Sequence, residues 1–439
     1  MAKYLIKNCD VADFDTLTTT RADIRIDGEY ICAVAPSLPS AADETVMDAQ
    51  GMLAMPAFVD AHTHMNQTFL KGPMDDFPIT EWLVRMIRYE DSMDEETCYY
   101  STLLGCLSSL RFGTTTINEM SDWQRLDPVL QAIEDSGIRA TFGISTTDVP
   151  ENDITPIISI DEALKRSEFV CDKIRRCKSG LIRPSVAPAG LPAVSGEMAK
   201  ALKNFANQQG IVYHTHLGEG RTETANVAKA YKVSGECEAL YNLGILDENT
   251  LLAHSIWLQD FELELIKESG ASPVHCPNTN MKISDGIPKI AQMLALGINV
   301  AIGCDGEASS STRDMIREGR AGAYLQKVTT LDPTVMDAGT TFKMMTRNGA
   351  RALGYKDLGE LKVGKRADLI LVNCDELSLV NPEYRIGNLL YAGDGYAVDT
   401  VFCNGSPVLL HKKLSRFDEA EMIAKCRECV SALNKKLGL

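Results

Sequence analysis

Six of the seven histidines in this 439-residue chain stand where short apolar runs break into polar residues. His62 and His64 follow the run 57–61, His214 and His216 close the run from 211, His254 follows 250–253, and His275 follows 272–274. In His62-Thr63-His64, side chains two residues apart share one face of an extended segment. Further apolar runs at 114–118, 140–145, 183–187 and 299–303 bring the strand candidates to eight, with helix-patterned stretches such as 96–111 and 196–208 between them. Strand–helix alternation predicts a parallel sheet. Eight such units over residues 57–363 predict an α/β fold, a TIM-type (β/α)8 barrel, for which about 250 residues plus insertions is usual. Barrels of this kind build their sites at the C-terminal ends of the strands, so the six histidines converge on one rim. A doubly wound sheet is the structural rival, but no G-x-G-x-x-G follows any strand candidate.

Both ends of the chain read differently from the middle. Tyr4-Leu-Ile, Ala22-Asp-Ile-Arg-Ile-Asp and Glu29-Tyr-Ile-Cys-Ala-Val are short strands, with Asp27-Gly28 as turn chemistry between two of them. Asp368-Leu-Ile-Leu-Val and Val398-Asp-Thr-Val-Phe-Cys-Asn-Gly405 repeat the style. The expectation is a small β-sandwich built from residues 1–56 and 364–439, ending in a helical tail. The longest irregular insertion, 65–79, follows the first barrel strand and is a candidate lid leading into the helix-like Glu81-Trp-Leu-Val-Arg-Met-Ile.

Charge and cysteine use narrow the function classes. A net charge of −16 argues against nucleic acid as a partner, since phosphate binding needs clustered Lys and Arg. No apolar window reaches membrane-spanning length, and Met1-Ala-Lys-Tyr-Leu-Ile-Lys lacks the pattern of a secretory signal. Thirteen scattered cysteines suit buried thiols in a reducing, cytoplasmic setting. Cys426-x-x-Cys429 lies in a charged, helix-patterned tail with no second pair, and reads as a helix face.

The converging histidines carry the chemistry. Neutral imidazoles hold a borderline ion such as Zn²⁺, and a carboxylate completes the shell while one position stays open to water. His62, His64, His216 and Asp305 form that set, Asp305 ending the eighth strand in Gly303-Cys-Asp-Gly306. Asp305 also fits a simple Asp-Gly turn, and His214 is the alternative ligand on strand five. Glu219, three residues beyond His216, is placed to carry a proton from water to a leaving group. His254 would orient and polarise the water. His275 fits structural support or a rim contact equally, and His411, beside two lysines, has no role. The strand-four stretch 182–190 contains no lysine that could bridge two metals, so a single divalent ion is expected.

These motifs resemble the amidohydrolase superfamily, in particular its mononuclear aminohydrolase branch of methylthioadenosine/S-adenosylhomocysteine, guanine and pterin deaminases and triazine hydrolases. The carriers are Pro56-Ala-Phe-Val-Asp-Ala-His-Thr-His64, His216-Leu-Gly-Glu219, Leu252-Ala-His254, Cys276-Pro-Asn-Thr-Asn280, Gly303-Cys-Asp-Gly306 and Gly364-Lys-Arg-Ala-Asp-Leu369. The resemblance implies zinc, or iron, on the four ligands named, with Glu219, His254 and Asp305 catalytic. It aligns Glu90 with a carboxylate that meets ribose hydroxyls and Ser309 with a serine near the base; Trp82 and Asn66 are further substrate-binding candidates. The implied reaction replaces a ring amino group of a small heterocycle with a carbonyl and releases ammonia. The alternatives are displacement of a chloro or alkylamino substituent from a triazine, and cyclic amide hydrolysis. Family members are commonly homo-oligomers. Two departures matter. Pro188-Ala189-Gly190 lacks the histidine with which nucleoside deaminases read the purine. Arginines for a homocysteine carboxylate are not evident in Gly143-Ile-Ser-Thr-Thr-Asp148 or the polar stretch after it. Asn66-Gln67 and Thr115-Thr-Ile-Asn-Glu119 look more like the triazine hydrolases.

Overall fold

The computed structural model describes residues 3–150 and 155–438; residues 151–154, in the polar stretch after Asp148, lie outside them. Strands β1 (Lys3–Asp13), β2 (Thr18–Asp27), β3 (Tyr30–Ala35), β4 (Thr45–Asp48) and β5 (Met52–Pro56) come first. The barrel strands follow: β6 (Phe58–His64), β7 (Thr114–Ser121), β8 (Arg139–Ile144), β9 (Ile182–Val186), β10 (Val212–Leu217), β11 (Thr250–His254), β12 (Ser272–His275), β13 (Ala301–Ile302) and β14 (Asp305–Gly306). The chain closes with β15 (Leu369–Asn373), β16 (Val398–Cys403), β17 (Ser406–Leu410) and β18 (Lys413–Leu414), then helix Glu419–Leu437.

Two sheets result. One is mixed, in the order β18-β17-β16-β15-β5-β1-β2-β3 with β4 on β1, so both chain ends build it. Its core gathers Ile6, Ile24, Ile31, Leu369 and Phe402. The other runs β13-β12-β11-β10-β9-β8-β7-β6-β14, all parallel: the expected TIM-type barrel. Every residue of β7 and β8 is buried, as parallel strands sealed by crossover helices must be. Pro56 ends β5 and Phe58 begins β6, with Ala57 N–H donating to Asp368 O at 3.1 Å. We propose the division 1–56 plus 364–439 and 57–363 on this seam.

Three local expectations are revised. The eighth strand, expected at 299–303, is two short pieces: β13 pairs with β12, and β14 pairs with β6 through Asp305 opposite Thr63. Gly303 between them lies so close to β6 that a Cβ would stand 2.9 Å from the backbone N and O of His62. Strands β6 and β10 run on through His64 and Leu217, so their histidines lie within the strands. Residues 65–70 of the supposed irregular insertion form a buried 3-10 helix, Met65–Leu70, packed on helix Glu95–Arg111. Gly105 permits this: a Cβ there would meet Thr68 Oγ1 at 2.5 Å.

Cys426 and Cys429 are buried on the inner face of helix Glu419–Leu437, as expected of a helix face, and no two of the thirteen cysteines pair. Among the described residues no helix is long and apolar enough to cross a membrane.

The barrel floor is tied to the terminal sheet by Arg139, whose guanidinium donates to Asp368 Oδ2 at 3.1 Å and Asn404 Oδ1 at 2.9 Å. Both charges of this pair are buried. Removing one partner strands the other, so Arg139→Met is expected to cost about 3–5 kcal/mol, read from the urea midpoint. The double change Arg139→Met with Asp368→Asn should recover much of it; a single variant as stable as the parent would contradict the role.

Candidate active site

The sequence pattern of β6 places Asp60, His62 and His64 on one strand face, and β10 adds His214 and His216. His62, His64 and His216 are each fixed through Nδ1. His64 Nδ1–H donates to Met120 O at 2.7 Å, His216 Nδ1–H donates to Ala189 O at 2.5 Å, and His62 Nδ1 lies 2.9 Å from His214 Nε2. A ring nitrogen held this way leaves Nε2 as the free donor, the usual support of a metal-binding imidazole. One ring nitrogen from each of His62, His64 and His216 lies within 4.8 Å of the others. His62 Nε2 is buried without a hydrogen-bond partner. Asp305 Oδ1 stands 3.3 Å from His62 Nε2 and 3.4 Å from His64 Nε2. Three imidazole nitrogens so grouped, with a carboxylate beside two of them, have the donor chemistry of a divalent-ion site. This is a His-rich metal site.

Burial sets the charge states. It pushes the His62 imidazole down to about 4 and holds His214 and His216 well below the ordinary histidine value, so all three are neutral and can donate a lone pair. His254 goes the other way. Burial opposes its charge, but Glu219, Asp305 and Asn280 outweigh it and raise its pKa. Its Nε2 is 3.5 Å from Glu219 Oε1, and Nδ1 is 3.0 Å from Asn280 Oδ1. Asp305 (φ +59°) and His254 (φ +66°) both occupy the left-handed region, costly for a side chain with a Cβ. The neighbouring contacts hold them there.

Those contacts come from residues outside the expected set. Asp60 Oδ1 accepts from Cys304 N–H at 2.9 Å, stitching the first strand to the break in the eighth. Arg313 is 1% exposed and spans the same seam: it donates to Thr63 Oγ1, to Asp305 O at 2.7 Å and to His64 O at 3.1 Å. Asp60 was legible, since it shares the period-two face of His62 and His64. Arg313 was not, because no spacing distinguishes a lone arginine in a loop.

Above the histidines opens a cavity of about 470 Å³. Asn66, Trp82 and Glu90 line it together with Glu219, His254 and Asp305. Glu90, 5% exposed, accepts from Asn66 Nδ2 at 2.8 Å; burial pushes its carboxyl up to about 7, Arg125 opposing. Trp82 Nε1–H donates to Ala308 O at 3.4 Å. Ser309 lies beneath Asp305, its hydroxyl donating to Oδ2 at 2.9 Å, and is not among the lining residues. His275 is buried against Gly322 of helix Met315–Thr330, away from the cavity lining, and His411 is exposed. Two arginines do line the cavity, Arg125 and Arg166, the latter stacked 4.8 Å over Trp123.

A parallel barrel whose rim joins a histidine metal site to a paired glutamate and histidine has the architecture of a hydrolase. The chain belongs to the amidohydrolase family, whose model matches residues 53–408. It acts on carbon–nitrogen bonds. It is 32% identical to the 5-methylthioadenosine/S-adenosylhomocysteine deaminase of Pyrococcus furiosus over 96% of this chain and 98% of that one. It is 31% identical to the 5'-deoxyadenosine deaminase of Methanothermobacter thermautotrophicus over 91% and 92%. Among solved structures, an adenosine deaminase from Xanthomonas campestris with bound zinc superposes with a TM-score of 0.91 at 28% identity, covering 99% of both chains. Atrazine chlorohydrolase from Arthrobacter aurescens shares the fold at TM-score 0.90 and 21% identity, covering 97% and 100%.

Arg313→Lys keeps the charge and loses the planar fork. It is expected to weaken divalent-metal affinity about 10–100-fold, as loss of ligand-orienting partners does, measured by chelator competition. Unchanged affinity would show that the fork does not hold the ligand strands.

Proposed function

We propose that this chain is a hydrolytic deaminase of 5'-modified adenine nucleosides of the methylthioadenosine, S-adenosylhomocysteine and 5'-deoxyadenosine type. It exchanges the ring amino group for a carbonyl and releases ammonia. The observation that carries this reading is Glu90, a buried carboxylate on the wall of the cavity that also holds Glu219 and Asp305. Ribose offers paired hydroxyls to such a group; a triazine has none. The two nucleoside deaminase relatives, similar along nearly their whole length, support it. The likeness to the triazine hydrolase speaks to fold alone.

His62, His64, His216 and Asp305 would hold the ion, zinc by the chemistry of its donors. When bound, such an ion supplies a water acidic enough to attack near neutral pH. The residues then divide the proton work. The Asp305 carboxylate accepts the proton of the attacking water, and His254 Nε2 orients it toward the ring carbon. Glu219 delivers a proton to the adjacent ring nitrogen, so charge does not build up on the ring. The proton held by Asp305 then passes to the amino group while the new hydroxyl on the ring carbon returns its own to the Glu219 carboxylate; the carbon–nitrogen bond breaks, the carbonyl forms and ammonia leaves. Ala189 stands where the nucleoside deaminases' histidine would, and its carbonyl is already engaged by His216.

Ammonia release from methylthioadenosine, S-adenosylhomocysteine, 5'-deoxyadenosine, guanine, a pterin and atrazine tests the substrate class. Turnover of the adenine nucleosides is expected; turnover of atrazine alone would overturn the reading. Glu219→Gln should lower kcat by about 10²–10⁴-fold with metal content intact. Retained activity would remove Glu219 from the mechanism.

The Glu90 carboxyl, raised to about 7, is charged above that pH and protonated below it. If the carboxylate binds ribose, kcat/KM should fall as pH drops through about 7, mainly through KM. Glu90→Gln should raise KM and flatten that limb; an unchanged pH profile would place the sugar elsewhere.

A further inference from the structure

One buried carboxyl lining the cavity has no part in the chemistry above. Glu236 opens helix Glu236–Asn242 and is 2% exposed. Its Oε2 accepts the backbone N–H of Gly218 at 3.0 Å and the hydroxyl of Thr224 at 3.3 Å, while Oε1 is buried with no partner. Burial, countered by those two hydrogen bonds, leaves its pKa raised to about 7. A first-turn glutamate is ordinarily solvated. Burying one against a single peptide N–H and a hydroxyl is costly unless that peptide must be held.

Gly218 is the residue through which the chain leaves β10 to reach Glu219. It is left-handed, at φ +60°, and a Cβ there would stand 3.3 Å from Trp257 N. Its carbonyl accepts from Ile256 N–H at 3.2 Å and Trp257 N–H at 3.0 Å, and Leu217 O accepts from Ser255 N–H at 2.8 Å. All three donors belong to the turn that follows His254. The Gly218 residue is therefore gripped on both sides: its C=O by the turn carrying His254, its N–H by Glu236. Glu219 follows Gly218 directly and His254 ends β11 directly before the gripping turn, and the two side chains stand 3.5 Å apart.

We infer that Glu236 is a positioning residue: by holding the Gly218 N–H it fixes the turn that aims Glu219 at the substrate ring. Thr224, on helix Arg221–Tyr231, shares the same oxygen, so the grip extends from the strand end to both helices after it. The inference rests on the deaminase reading for what Glu219 does, but the grip itself is independent of substrate.

Two variants and two measurements test it. Glu236→Ala removes the acceptor. Misplacing a proton donor slightly can cost about two orders of magnitude, so kcat for the nucleoside is expected to fall about 10–100-fold with KM within about twofold. Metal content should stay unchanged. Glu236→Gln keeps a carbonyl acceptor and turns its NH2 to the side where Oε1 has no partner; kcat within about threefold of the parent is expected, because the hydrogen bond and not the charge does the holding. Hydrogen exchange of the peptide containing Gly218 should speed at least about tenfold in Glu236→Ala and stay near the parent in Glu236→Gln. Unchanged kcat in Glu236→Ala, loss of metal in step with activity, or Glu236→Gln as slow as Glu236→Ala would each overturn the inference. Should the parent enzyme deaminate no nucleoside, the functional reading fails. The exchange measurement then decides this one alone: faster exchange in Glu236→Ala upholds it and unchanged exchange overturns it.

Discussion

The site depends on how the barrel closes between its first and eighth strands. Strand eight cannot pass β6 as a continuous ladder, because its chain at Gly303 lies against the backbone of His62 with no room for a side chain. It breaks there, resumes as β14, and sets Asp305 in a left-handed conformation opposite Thr63. Asp60 and Arg313 then stitch the break from both sides. A carboxylate that would otherwise end a strand is swung to within 3.4 Å of two imidazoles. Backbone strain at Asp305 and His254 is therefore tied to the geometry that the histidines need.

Electrostatics follow from that closure. Enclosing the histidines removes water from around them, which keeps His62, His214 and His216 neutral and able to donate a lone pair. The same enclosure pushes Asp60 up to about 6 and Asp285 to about 8, whereas at Asp305 the adjacent His62, His64 and His254 outweigh burial and hold the carboxyl well below the usual carboxylate range. One barrel mouth thus sets carboxyls and imidazoles of lowered and raised proton affinity side by side, the condition for moving protons both ways in a hydrolysis. The Nδ1 anchors of His64 and His216 are main-chain carbonyls, one in β7 and one in the loop after β9, so ring orientation is set by the backbone.

Much of this was legible in sequence. The period of two in His62-Thr63-His64, the apolar runs and the helix-patterned stretches between them gave the barrel and its rim, because strand alternation is local. What sequence blurred was the length of strands: β6 and β10 continue through their polar residues, since inside a barrel a polar face can point at a metal site. The position of Ser309 under Asp305, the buried turn at Met65–Leu70, and the roles of Arg313 and Glu236 left no local signal. Arg313 acts on a partner far along the chain, His64, across 249 residues, and the Ser309 contact, though only four residues from Asp305, needs the left-handed turn at Asp305 to form.

The sequence by itself determined the kind of donors, the strands that carry them and the fold class, for these rest on side-chain chemistry and periodicity along a few residues. Only the tertiary structure decided which histidine nitrogens face a common point, that His214 supports His62 from behind, and that Asp305 turns inward. Those depend on the closing of the barrel, where contacts between strands distant in sequence fix angles that no neighbouring residue can set.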